Sequence, residues 1–273
     1  MIEAATPASP QLWDGEVDVG DGMIRLTVAG EGHPLILLHG WTLDRRMWQP
    51  QVVDLAKHFQ LVMPDRRGFG RSTAPPAIDR EAGDVERIAD FLGFDRYALL
   101  GLSQGGAVAL DCAHRHSWRI NALVVSGTPM PTLVERDEAI DIERYKALVR
   151  SGDLAIMRKD WSRHLLMSHE NPQTHDLVEQ ILGDYEGRDL LSPSRLPDRP
   201  REALAHLPMP LLAMTGASDS PWRRACAEAL GMLAPRGSCA MVDVAGHLAN
   251  LDNPARFNRL VMDFLLKALR PHV

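Results

Sequence analysis

The chain holds 273 residues, 45% hydrophobic and 24% charged, the balance of a globular protein able to bury a sizeable core as one large domain with an insertion or as two small ones. A formal net charge of −6 and a pI near 6.0 argue against a bulk basic footprint for nucleic acid. Cys112, Cys226 and Cys239 are odd in number, widely spaced and in no C-x-x-C pair, so free thiols in a reducing compartment are expected rather than disulfides or a zinc site.

Residues 1–14 read as a loose arm, and their start lacks the basic flank and apolar stretch of a secretory signal. No uninterrupted apolar segment approaches the roughly 20 residues that span a bilayer; the expectation is a cytoplasmic protein with no membrane partner. Two short strands, 16–19 and 23–29, flank the turn signal Gly20-Asp21-Gly22. Leu35-Ile36-Leu37-Leu38 is a continuous apolar run between Pro34 and Gly40, the pattern of a strand buried on both faces. Alternation follows: a helix at about 44–57, strand 59–63, a helix at about 80–92, strand 97–101, a helix from 103 to about 115, and strand 120–125. Such alternation predicts an α/β fold with a mostly parallel central sheet and helices on both faces.

The alternation breaks at about Pro129. Helical patterns at 135–149, 154–166 and 175–182 have no strand between them, and 191–200, with three prolines, reads as an exit linker. Strand 211–214, a helix at about 221–233, strand 239–244 and a helix at about 254–269 complete the chain. The predicted organisation is a sheet domain in two parts, 1–129 and 201–273, interrupted by a helical cap at 130–200.

Residues 101–106, Gly-Leu-Ser-Gln-Gly-Gly, form a Gly-x-Ser-x-Gly pentapeptide between a predicted strand and a predicted helix. A serine at such a turn projects its hydroxyl from the sheet, and the flanking glycines avoid collision with neighbouring backbone. A hydroxyl is a weak nucleophile until a base takes its proton, so the motif asks for a histidine and an acid elsewhere. Strand 211–214 runs into a loop holding Asp219, and strand 239–244 runs into Gly246-His247. Parallel strands bring both to the edge that carries Ser103, in the chain order Ser, Asp, His. His247 is then the base and Asp219 the group that orients it. Asp243, within the predicted strand, and Asp252, read as a charge complement at a helix start, are the rival acids. The oxyanion donors are expected to be the backbone N–H groups of Gln104, after the nucleophile, and Trp41, in His39-Gly40-Trp41.

In these motifs the chain resembles the α/β-hydrolase-fold serine hydrolases. The resemblance rests on His39-Gly40-Trp41, Asp65-Arg66-Arg67-Gly68-Phe69-Gly70-Arg71-Ser72, Gly101 to Gly106, Asp219 and Gly246-His247. It implies an enzyme acting on a small-molecule ester or lactone. The wording of the motifs is most similar to small bacterial esterases, lactonases such as 3-oxoadipate enol-lactonase, and C–C bond hydrolases. A serine rather than an aspartate at the elbow sets it apart from haloalkane dehalogenases and epoxide hydrolases. The Asp65–Ser72 loop is expected to be structural, with Arg67 bonding nearby backbone carbonyls.

No cofactor is expected, since acyl transfer by this set needs none and no Gly-rich dinucleotide or phosphate loop is present. Metal binding by His164, His169 and His175 is not expected either, because they lack the i, i+4 spacing. His114 and His116 read as surface residues. The cap's ten Lys/Arg against fourteen Asp/Glu do not recommend a polyanionic substrate. Met157, Trp161, Leu165, Leu166 and Met167 are candidates for an apolar pocket lining or for packing between cap helices. The same triad also suits C–C bond hydrolysis, lyase or perhydrolase chemistry, and a ligand-binding protein on the same fold is a third reading.

Overall fold

The computed structural model describes residues 11–169, 171–196 and 199–270. Eight strands form one sheet: β1 (Leu12–Asp18), β2 (Met23–Ala29), β3 (His33–Leu38), β4 (Phe59–Pro64), β5 (Tyr97–Leu102), β6 (Ile120–Ser126), β7 (Leu211–Gly216) and β8 (Gly237–Val242). Their order is β1-β2-β4-β3-β5-β6-β7-β8. Pairing is antiparallel for β1 with β2 and for β2 with β4, and parallel throughout the rest. The expected sheet is therefore present, with its antiparallel pairs at one edge.

The helices are α1 (Gln49–Leu55), α2 (Glu81–Phe91), α3 (Gln104–Arg115), α4 (Ile142–Ser151), α5 (Leu154–Trp161), α6 (Pro172–Asp184), α7 (Arg201–Leu204), α8 (Pro221–Leu233), α9 (Ala249–Asp252) and α10 (Pro254–Ala268). Successive side chains of β3 go to opposite faces: Leu35 and Leu37 pack with Trp48, Leu55, Phe257 and Val261 from the α1 and α10 side. Ile36 and Leu38 pack with Ile88, Val108 and Cys226 from α2, α3 and α8. That two-sided burial is why the run at 35–38 contains no polar residue.

Several boundaries differ from the sequence reading, each for a local reason. β1 begins at Leu12, inside the segment expected to be a loose arm, because it pairs in unbroken register with β2 from Leu12 opposite Ala29 to Asp18 opposite Met23; residues 1–10 of that arm lie outside the described residues. The helix expected at 135–149 starts only at Ile142, where the Asp141 side chain accepts from the Arg144 N–H as an N-cap. The turns before it are drawn elsewhere: the Val134 carbonyl accepts from the Trp222 indole at 3.1 Å, and Glu138 pairs with Arg223. The helix expected over 154–166 ends at Trp161, and Leu165–Met167 forms a 3-10 turn capped by His164. Asn171 and Pro172 start α6 earlier than expected. β8 ends at Val242, so Asp243 lies beyond the strand rather than within it.

Candidate active site

Ser103 occupies the turn between β5 and α3 with φ 53° and ψ −116°, a left-handed region costly for a residue with a Cβ. Neighbours enforce the turn. The Ser103 N–H donates to the Ser126 carbonyl at 2.7 Å, and the Ser103 carbonyl accepts from Ala107 at 3.1 Å. A Cβ on Gly105 would strike the Leu38 and His39 carbonyl oxygens, and one on Gly101 would strike the Gly105 carbonyl. The two motif glycines thus let α3 begin hard against β3 and β5.

Asp219 and His247 leave the ends of β7 and β8 on the same edge. The His247 imidazole Nδ1 lies 2.9 Å from Asp219 Oδ2, and both residues are only 3% exposed. Asp219 also accepts from the Thr215 hydroxyl at 2.5 Å and the Ser220 N–H at 2.7 Å. Burial alone would raise this carboxyl, but the facing His247 and these hydrogen bonds outweigh it and hold Asp219 below its ordinary value. Gly127, at φ 57°, leaves room for the ring: a Cβ there would sit 2.7 Å from His247 Cε1. Asp252, one rival acid, has another task, accepting the Gly246 N–H at 2.7 Å and so bracing the histidine loop. The helix entry is instead built by Asn253 and Pro254, the N-cap and first residue of α10.

Ser103, Gln104, Trp41 and His247 all line one cavity of about 660 Å³ beneath the helices inserted between β6 and β7. The Ser103 hydroxyl is not hydrogen-bonded to His247 in this arrangement; the two share the cavity wall. The Trp41 and Gln104 N–H groups have no main-chain acceptor among the described residues.

The loop at 65–72 is a scaffold. Asp65 accepts from the Arg45 and Arg71 N–H groups at 2.9 and 2.8 Å. Arg67 pairs with Asp84 and donates to the Pro75 carbonyl at 3.0 Å, the backbone bond expected of it. Its neighbour Arg66, which the sequence reading passed over, reaches the site: it pairs with Glu81 and donates to the His39 carbonyl and to the Gln104 side chain, at 2.8 and 2.7 Å. His39 accepts the Arg66 N–H at Nε2 and faces the Gly40 carbonyl with Nδ1. Complete burial and the adjacent Arg66 charge push its pKa well down, so it is a neutral structural imidazole.

Two further contacts carried no sequence signal. The Trp41 indole donates to Asp189 at 2.7 Å, and the Trp161 indole donates to Thr42 at 2.8 Å, tying the inserted helical segment to the loop after β3. Of the candidate lining residues, Trp161, Leu166 and Met167 face the cavity, whereas Met157 is buried in packing and Leu165 is exposed. His164 stacks on Trp161, and His169 on His175. Among the described residues no three His, Cys, Asp or Glu side chains gather as metal ligands, and no helix is long and apolar enough to cross a membrane.

Comparison with known proteins agrees with the architecture. Residues 35–260 match the model of the alpha/beta hydrolase family. The chain is 30% identical over 251 residues to the pimeloyl-[acyl-carrier protein] methyl ester esterase of Pectobacterium atrosepticum, covering 84% of this chain and 93% of that one. It is 28% identical over 259 residues to a Yersinia enterocolitica protein named as a carbamate hydrolase, RutD, covering 88% and 91%. A thermophilic esterase of Thermogutta terrifontis superposes with a TM-score of 0.78 at 25% identity, over 95% of this chain and 100% of that one. The chain belongs to the alpha/beta hydrolase family.

Proposed function

We propose that this alpha/beta hydrolase is a serine hydrolase that cleaves a small carboxylic ester or lactone through an acyl-enzyme. The observation that carries the reading is the buried His247–Asp219 pair at 2.9 Å, opening on the cavity that also holds Ser103 at a strained backbone angle. The esterase names of its relatives support the substrate class.

The Ser103 oxygen attacks the carbonyl carbon while its proton passes to His247 Nε2. Asp219, held ionised by its hydrogen bonds, keeps the other ring nitrogen protonated and stabilises the imidazolium that forms. The oxyanion is received by the Trp41 and Gln104 N–H groups, donors of a kind each worth about 10²–10³ in kcat. The C–O bond to the leaving group breaks, and that oxygen takes the proton from His247. Water, deprotonated by the same imidazole, then releases the acid and restores Ser103.

The test is pre-steady-state release of p-nitrophenol from a p-nitrophenyl ester. A burst equal to the enzyme concentration, absent in Ser103→Ala, is expected. Turnover that persists in Ser103→Ala but not in His247→Ala would replace the acyl-enzyme with the water-activating chemistry of C–C hydrolases.

A further inference from the structure

The inserted helices carry more acids than bases, yet the cavity wall is the reverse. Five basic side chains line it (Arg136, Lys146, Arg150, Arg195 and Arg223) against two acidic ones (Glu143 and Asp189). Two of the bases are already engaged. Arg223 is buried against Glu138 at 2.6 Å, and Arg136 lies over the Trp222 ring and donates to the Glu138 carbonyl. Asp189 is likewise occupied, accepting from the Trp41 indole and, at 2.6 Å, from the Tyr185 hydroxyl.

Lys146 and Arg150 of α4 and Arg195 of the segment after Leu191 remain, with Glu143 as their one acid on the cavity wall. Lys146 Nζ lies 2.7 Å from Glu143 Oε1, whereas Arg150 and Arg195 have no ion-pair partner within 4 Å among the described residues. All three cations line the one cavity, so two elements far apart in sequence bring more positive charge to its wall than Glu143 balances. The Glu143 carboxyl is accordingly lowered, by the Lys146 hydrogen bond first and then by the charges of Lys146, Arg150 and Arg195. The same cavity wall carries the apolar side chains Ile140, Ile142, Leu166, Met167, Leu190 and Leu191.

We propose that Lys146, Arg150 and Arg195 form an anion subsite at the mouth of the Ser103 cavity, selecting esters that carry a carboxylate or phosphate at the end of a short apolar arm. The arm lies along the apolar wall, the reacting carbonyl reaches Ser103, and the anion competes with Glu143 for the three cations. The preference deepens the serine-esterase reading and rests on it; the charge total of the inserted segment conceals it because the surplus acids lie away from the cavity.

The experiment compares monomethyl and dimethyl esters of the same short dicarboxylic acids, with a matched ester ending in a phosphate, on the full chain. The half-ester is expected to exceed the diester in kcat/KM by roughly tenfold, as a few exposed charges would give, and to lose that lead at high salt. Arg150→Ala/Arg195→Ala should erase the lead through KM while leaving the dimethyl ester unchanged, and Glu143→Gln should enlarge it. The carboxylate and phosphate arms rank the two anions. Titration of the free dicarboxylate into Ser103→Ala reads the subsite without turnover, and weaker binding to the triple variant with the arginine pair removed is expected. Equal kcat/KM for half-ester and diester in the unaltered enzyme, with dicarboxylate binding indifferent to the arginines, overturns the subsite. Failure to hydrolyse any ester, p-nitrophenyl acetate included, while the dicarboxylate still binds through the arginines, overturns the esterase reading instead.

Discussion

Arg223 of α8 donates to Glu138 through Nη2 at 2.6 Å and to the Gly127 carbonyl through Nη1 at 2.8 Å. Glu138 in turn accepts from the Ser220 hydroxyl at 3.1 Å, and the Ser220 N–H binds Asp219. One buried ion pair thus links the segment after β6, the glycine under the His247 ring and the loop of the candidate triad acid. Removing Glu138 leaves a guanidinium buried without its partner, which costs about 3–5 kcal/mol. Glu138→Ala should lower the melting temperature by roughly 10 °C for a chain of this size, read by calorimetry. Glu138→Gln, which keeps hydrogen-bond acceptors, should lose less.

Gly127 is required by the imidazole. An alanine there meets a positive φ and places its Cβ 2.7 Å from His247 Cε1, so the ring must shift. Gly127→Ala should reduce kcat/KM at least about tenfold, the effect of a little over 1 kcal/mol at the transition state, with its circular dichroism spectrum unchanged. Ester hydrolysis at full rate in this variant would show that the ring position is not demanding.

Asp219 makes a prediction with a sign. Its folded carboxyl is lowered below the unfolded value, so its ionisation stabilises the fold above the unfolded pKa, near 3.8. That contribution fades as pH falls through the lower folded pKa. The stability lead of the unaltered protein over Asp219→Asn should therefore be full at neutral pH and shrink as the solution is taken below about pH 4, followed by thermal melts. Asp219→Asn should also lower kcat by about 10⁴, because the amide favours the wrong imidazole tautomer.

Asp189 accepts from the indole of Trp41, the residue proposed to supply one oxyanion donor. Burial raises its carboxyl against the hydrogen bonds of Tyr185 and Trp41, a cost the protein tolerates while the carboxylate anchors the indole beside the expected oxyanion donor. Asp189→Ala should loosen the loop after β3 and lower kcat by up to about 10² with a smaller change in KM. Asp189→Asn, whose carbonyl still accepts from the indole, should restore most of it.

The inner strands of the sheet were legible because they are buried on both faces: a run such as Leu35–Leu38 can be little else between Pro34 and Gly40. The elbow was legible because Gly101 and Gly105 have backbone against them in the fold, and Asp219 and His247 because each follows a strand closely enough to share its end. The inserted segment was less legible. Residues 135–141 have helical periodicity, but Glu138 is held by Arg223, 85 positions away, and a local pattern cannot register that competition. Arg66 was hidden beside the more familiar Arg67, and Asp189 looks like any loop aspartate until Trp41 and Tyr185 close on it. The convergence of Arg150 and Arg195 is a property of tertiary placement that a charge count averages away.

The most direct measurement is intact-protein and peptide mass spectrometry after brief mixing with a fluorophosphonate and, separately, with a slowly deacylating ester. One adduct per chain on the peptide containing Ser103 is expected, lost in Ser103→Ala and formed far more slowly in His247→Ala. An enzyme that hydrolyses the ester yet carries no adduct at Ser103 would contradict the account.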